Sequence, residues 1–327
     1  MKEYISFYVW RGALITEEGI KHGYLIPSEM KFEESRLDYR DFYFSKTFFN
    51  AHTHLGDAAF KEAPRMDLEK LVAPNGYKQK MLNSTSPEVL RREIKKETEF
   101  ARKCGTSHFL DFREGGLEGL KIVEGLDGII ALARPKNADE AEKIQAFGFA
   151  YSSARDHDEE LLKKVREIAK RKKMIFAIHA GEKDCGDVEG ALELQPDLLI
   201  HMNCCEEMLR DVITMEIPIV SCARSNAFFG LLNTKVYKIL KDYDFWMIGS
   251  DNAMIASPSL LEEMHFLSYL IDDDTAIFKA AIRGYELFNM KYGYVVYNRN
   301  YNFRRTNDPL KTLVRRASAM DIEAVII

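Results

Sequence analysis

Several features that would assign a sequence at a glance are missing from this one. No apolar run approaches the roughly 20 residues that cross a bilayer; stretches such as Gly128 to Ala133 fall far short. The start does not read as an export signal, because Glu3 follows Lys2 at once and the apolar run Ile5 to Trp10 ends at Arg11. Positive charge is not in excess: 46 Lys and Arg against 51 Asp and Glu leave a net charge of -5. No global field therefore draws in phosphate backbones or anionic lipid, so neither nucleic acid nor a membrane is an expected partner. Cysteine is sparse and odd in number. Cys104, Cys185, Cys204, Cys205 and Cys222 form no CxxC pair, which argues against a zinc knuckle or redox centre and for a reduced, cytoplasmic protein. The adjacent Cys204 and Cys205 read as small buried residues. No GxGxxG follows the first strand, which removes the usual sign of a dinucleotide site.

What is present is an ordinary globular composition, 46% hydrophobic and 30% charged over 327 residues. That length accommodates one α/β barrel of about 250 residues with an accessory module. Short apolar runs alternate with amphipathic segments, the pattern of repeated βα units. Strands are expected at Phe48 to His54, His108 to Arg113, Ile129 to Arg134, Phe149 to Ser153, Ile175 to His179, Leu198 to His201, Ile217 to Ser221 and Phe245 to Ser250. Eight such strands favour a closed (β/α)8 TIM barrel over an open sheet. Between them, Ser86-Pro87-Glu88 starts a helix running to about Lys103, and Asp158 to Lys173 carries Leu161, Leu162, Val165 and Ile168 at helical spacing. Strand-like runs at Ile5 to Trp10, Gly23 to Ile26, Tyr294 to Tyr297 and Ala324 to Ile327 predict a small β module made by the two termini, residues 1–45 and 293–327, around a barrel of residues 46–292.

Active sites of such barrels lie at the C-terminal ends of the strands. Strand one ends in His52-Thr53-His54, and the two-residue period places both imidazoles on one face. An isolated HxH is weak, but His179 ends strand five, His201 ends strand six and Asp251 follows strand eight. Imidazole nitrogen and carboxylate oxygen suit zinc or ferrous ion, so His52, His54, His179 and Asp251 form a candidate site for one metal. A water bound there would lose a proton near neutrality and become a nucleophile.

These residues resemble the amidohydrolase superfamily, and within it the mononuclear branch of cytosine, adenosine and guanine deaminases. The matching pieces are Asn50-Ala51-His52-Thr53-His54, His179-Ala180-Gly181-Glu182, His201, Ser225-Asn226 and Gly249-Ser250-Asp251-Asn252. The resemblance implies that His52, His54, His179 and Asp251 hold a single divalent metal, zinc first, with iron or manganese as alternatives. It implies that Asp251 takes the proton of the attacking water, that Glu182 shuttles protons, and that His201 orients the hydroxide. Relatives with two metals usually place a carboxylated lysine at the end of strand four, where this chain has Tyr151-Ser152-Ser153-Ala154-Arg155. One metal and hydrolytic deamination of an amino-substituted ring are therefore expected. Hydrolysis of a cyclic amide or a C–halogen bond is the alternative. A binding protein that keeps metal for structure alone would not need Glu182 or His201. Two departures warn against copying a relative's substrate. The run Cys222-Ala223-Arg224-Ser225-Asn226 lacks the proline common before Arg-Ser-Asn, and Thr47-Phe48-Phe49-Asn50 lacks the usual Pro-Gly lead-in.

Arg113, Arg134, Arg155 and Arg224 sit near strand ends; they either form ion pairs at the surface or between loops, or one or two of them reach the pocket and bind an anionic group. Arg113, Arg155, Ser225 and Asn226 are the candidate contacts to a small-molecule substrate. Phe228-Phe229 either lines an aromatic ring or packs beneath a loop. His22, His108, His157 and His265 belong to no constellation. The aperiodic segment Asp57 to Asn83, with Pro64, Pro74 and Gly76, reads as a loop over the barrel mouth and a candidate lid. A homo-oligomer is compatible with all of this.

Overall fold

The computed structural model describes residues 9–327, so part of the expected strand Ile5 to Trp10 lies outside the described residues. The chain divides into two compact units, one of residues up to 49, 100–107 and 259–327, the other of residues 50–99 and 108–258.

The first unit begins with four strands, β1 (Trp10–Thr16), β2 (Gly19–Ile26), β3 (Lys31–Glu34) and β4 (Phe42–Lys46). β1 and β2 form an antiparallel hairpin, and β4 lies parallel to β1.

The barrel strands follow: β5 (Phe48–His54), β6 (Thr106–Arg113), β7 (Ile129–Ala133), β8 (Gly148–Tyr151), β9 (Ile175–Ala180), β10 (Leu198–His201), β11 (Ile219–Ser221), β12 (Trp246–Ile248) and β13 (Asp251–Asn252). From β5 to β12 each is a neighbour of the next in one sheet, and β13 pairs in parallel with β5. β12 and β13 are halves of one strand, so the two ends of the sheet are joined through Gly249-Ser250 and the eight strands form a ring, as the sequence predicts. The expected continuous strand Phe245 to Ser250 is split for a steric reason. A Cβ on Gly249 would stand 2.7 Å from the Cβ and backbone nitrogen of His52, so only glycine lets the eighth strand pass this close to the first. Asp251 then takes a left-handed backbone, φ 62°, which swings its side chain out of the strand's regular alternation.

Helices separate the strands. The two predicted ones are observed at Pro87–Lys103 and Glu159–Lys172. The second is capped by Asp158, whose side chain accepts from Leu161 N, and it buries Leu162, Val165, Ile168 and Ala169. The segment 57–83 is not the loop its composition suggests. It holds three short helices, Leu55–Phe60, Leu68–Val72 and Tyr77–Ser84, each too brief to display apolar periodicity. Phe60, Leu71 and Met254 form a small core under it, against which Phe228 and Phe229 pack.

β14 (Tyr294–Tyr297) and β15 (Ile322–Ile326) complete the first unit's six-stranded sheet in the order β15-β14-β4-β1-β2-β3, around Leu14, Leu25, Phe44, Tyr294, Val296 and Ile326. The expected terminal strands at 294–297 and 324–327 are thus present. β4 and the helix Pro309–Arg316 were not anticipated. No helix among the described residues is long and apolar enough to cross a membrane.

Candidate metal centre

His52, His179, His201 and Asp251 are all buried and offer ligand atoms within 4.8 Å of one another. His52 Nε2 lies 3.1 Å from Asp251 Oδ1 and 3.2 Å from His179 Nε2. His54 stands at the edge of this group, its Nε2 3.6 Å from Asp251 Oδ1. The parallel register of β13 with β5, Asp251 opposite Thr53, brings the carboxylate between the two imidazoles of the HxH pair. His201 (φ 77°) and Asp251 (φ 62°) both adopt left-handed backbone conformations, strain that is commonly stored at functional sites.

The outer atoms settle which way the rings face. His179 Nδ1 is 2.8 Å from the carbonyl oxygen of Tyr151, which can only accept, so Nδ1 carries the proton and Nε2 presents a lone pair inward. His54 Nδ1 likewise donates to Glu114 Oε1 at 2.8 Å. Burial lowers His52 and His201, and holds His179 well below its usual range with help from the neighbouring histidines. Burial, followed by the Lys78 charge, takes His54 down to about 3. The rings are therefore neutral and able to ligate. Burial pushes the Asp251 carboxyl upward, but the hydrogen bond with His52 and favourable electrostatic interaction with the surrounding imidazoles outweigh it and hold the group below the usual carboxylate range. Converging neutral imidazoles beside a carboxylate, with the Nε2 lone pairs of His179 and His54 left free, form a donor set that fits one divalent metal.

Glu182 is the opposite case. Burial, then the charges of Asp251 and Asp187, push its carboxyl well above the usual range, and its Oε2 is 3.5 Å from His201 Nε2. Glu182, His54, His179, His201 and Asp251 line a cavity of about 190 Å³. Leu68, Val72, Lys78 and Leu82 of the 57–84 segment form part of its wall.

The residues expected to touch substrate are placed differently from one another. Arg155 is on the cavity wall, half-exposed, and pairs with Asp184 at 3.0 Å. Arg113, Ser225 and Asn226 are not among the described residues that line the cavity. Arg113 is buried between Asp111 Oδ2 at 3.2 Å and Glu114 Oε2 at 2.9 Å. Ser225 is buried and its hydroxyl donates to Asp251 Oδ2 at 2.5 Å, while Asn226 Nδ2 donates to Tyr237 Oη at 3.0 Å.

Two residues escaped the sequence reading. Glu114 receives His54, Arg113 and Lys78, the last at 3.0 Å, and Lys78 Nζ also donates to Asn252 Oδ1 at 2.9 Å. Glu114 directly follows the end of a barrel strand, a signal that was available. Lys78 lies in the aperiodic segment and carried none.

Residues 47–297 match the model of the amidohydrolase family. A protein of Archaeoglobus fulgidus described as a "Putative aminohydrolase" is 59% identical over 329 residues, covering 100% of both chains. The guanine deaminase of C. acetobutylicum, solved with bound guanine, superposes with a TM-score of 0.74 over 97% of this chain and 98% of that one, at 14% identity. The atrazine chlorohydrolase of Arthrobacter aurescens TC1, solved with zinc, gives 0.77 over 98% and 93%, at 12% identity. At such identities the structural likenesses speak to the fold, while the family model spans the barrel from before the HxH pair to beyond Asp251. The chain therefore belongs to the amidohydrolase family.

Proposed function

We propose that this amidohydrolase deaminates an amino-substituted heterocycle by hydrolysis, with His52, His54, His179 and Asp251 holding one divalent metal, zinc first. The observation that carries this reading is geometric: Asp251 sits among the converging imidazoles and Glu182 stands across the same cavity, 3.5 Å from His201. Their carboxyls are shifted in opposite directions, Asp251 below and Glu182 above the ordinary range, which suits a proton acceptor and a proton donor. A divalent ion in the site supplies Lewis acidity and brings the pKa of a water toward neutrality.

Asp251 accepts the proton of the attacking water, and the Ser225 hydroxyl on Oδ2 fixes the carboxylate's orientation for that task. Glu182 delivers a proton to the ring nitrogen next to the attacked carbon. His201 stands between the two carboxyls and orients the oxygen nucleophile. On collapse the hydroxyl passes its remaining proton through Glu182 to the amine, the C=O bond forms, the C–N bond breaks and ammonia leaves, and the proton held by Asp251 then returns Glu182 to its acid form. Tyr151 at the end of β8 contributes its carbonyl to His179, and no lysine is available there to bridge a second ion. The guanine bound by one structural relative is a substrate of the proposed kind.

The chlorohydrolase relative favours a second reading, displacement of halide by the same groups. Zinc-loaded protein screened on purines, pyrimidines, pterins and halogenated triazines separates the two. Ammonia without halide or new carboxylate is the expected result. Halide or carboxylate without ammonia transfers the assignment to the second reading, and no product from any of them overturns both.

A further inference from the structure

Four arginines stand near the C-terminal ends of barrel strands or just after them, and three are committed to partners. Arg113 is held by Asp111 and Glu114, Arg155 by Asp184, and Arg224 donates to the carbonyl of Ser257 at 2.7 Å. Arg134 differs. It directly follows β7, where its backbone N–H donates to the Arg113 carbonyl at 3.1 Å, and its side chain lines the same cavity as His179, Glu182 and Asp251. Among the described residues its guanidinium has no ion-pair or hydrogen-bond partner, and its Nε is buried without an acceptor.

A guanidinium partly withdrawn from water without an anion costs free energy, and its fork of donors matches the paired oxygens of a carboxylate or phosphate. The neighbouring wall supplies further donors. Ser152 and Ser153, just beyond the end of β8, line the cavity beside Arg134, and Ser152 Oγ is 2.9 Å from His157 Nε2. The carbonyl that orients His179 belongs to Tyr151, one residue before Ser152, so this wall adjoins the metal centre. Of the other acidic residues on the cavity, Glu114 is engaged with His54, Lys78 and Arg113, Asp184 with Arg155, Glu69 with Lys183 and Asp187 with the N–H of Gly181, while Asp156, also on the cavity, makes no ion pair with Arg134.

We propose that Arg134, with Ser152 and Ser153, forms a subsite for an anionic oxygen group, so that the substrate is an amino-heterocycle bearing a carboxylate or a phosphate. The inference rests on the deaminase reading for its reaction but not for its binding site, and the test keeps them apart. Zinc-loaded wild type is titrated by calorimetry with matched pairs, adenosine and its 5′-monophosphate, pterin and pterin-6-carboxylate, and ammonia release is measured on the same compounds. The anionic member of at least one pair binds about ten- to a hundred-fold more tightly than its neutral partner, the worth of a charge-assisted bidentate contact. Arg134→Gln abolishes that preference, leaves the neutral compound's affinity within about twofold and raises KM rather than lowering kcat; Arg134→Lys restores part of the preference. Metal content and melting temperature of each variant report whether it is folded. A preference with no ammonia from any compound leaves the subsite standing and removes deamination. Equal affinity within every pair, no binding by any compound, or a preference that survives in folded Arg134→Gln overturns the subsite.

Discussion

A buried acid in the six-stranded sheet unit and the buried acids of the barrel rim meet opposite fates. Asp321 receives the backbone N–H and side-chain amide of Asn302 and the backbone N–H and hydroxyl of Ser318, so both of its oxygens are locally satisfied. At the rim, by contrast, Asp57 Oδ2 and the outer nitrogens of His52 and His201 are buried without a hydrogen-bond partner among the described residues. Ligand atoms of three histidines and Asp251 there also crowd within 4.8 Å of one another. The sheet spends its polar groups on its own architecture. The rim holds them in reserve, as groups kept for chemistry are held.

Substitutions on either side should separate these roles. His179→Ala has the largest expected effect: metal content falls from about one per chain toward none, as elemental analysis reads, and activity disappears with it. Glu182→Gln should lose about 10²–10⁴ in kcat at unchanged metal content, because only the proton donor is removed. A proportional loss of metal in that variant would place Glu182 among the ligands instead. Glu114→Gln, which loosens the partner of His54 without touching the cluster itself, should weaken metal affinity by about 10–100-fold in a chelator competition. Phe44→Ala, fully buried in the small sheet, should cost about 3–5 kcal/mol in denaturant unfolding while leaving kcat of the folded fraction unchanged. A changed kcat there would break the separation.

Asp57 supplies the smallest effect. Burial first, then the charges of Glu114 and Asp251 with Lys78 opposing, push its carboxyl up to about 7. Between about pH 4 and that value the folded chain holds a proton that the unfolded chain releases, so stability falls as pH rises through the window. Asp57→Asn should therefore match the wild type in melting temperature near the acid end and exceed it above neutrality. Parallel curves would remove Asp57 from the set of strained rim groups.

The fold was largely legible because its signals are local and repeated. Eight apolar runs separated by amphipathic segments specify a ring of βα units, and the strand-end positions of His52, His54, His179, His201 and Asp251 follow from that count. The 57–84 helices were not legible, since helices of five to eight residues bury too little to impose a period. Arg113, Arg134 and Arg155 look alike in sequence, each near the end of a strand.

By itself, then, the sequence determined the barrel, the terminal strands and the side chains that gather at the candidate metal centre, because period, strand ends and residue chemistry are properties of short segments. Tertiary structure decided which arginine is consumed by a carboxylate and which has no partner among the described residues, that Ser225 serves Asp251, that Glu114 holds both His54 and Lys78, and that the carboxyls of Asp251 and Glu182 shift in opposite directions. Those outcomes depend on burial and on distances between residues far apart in the chain, and electrostatic interactions inside a protein are set by such distances and by the exclusion of water.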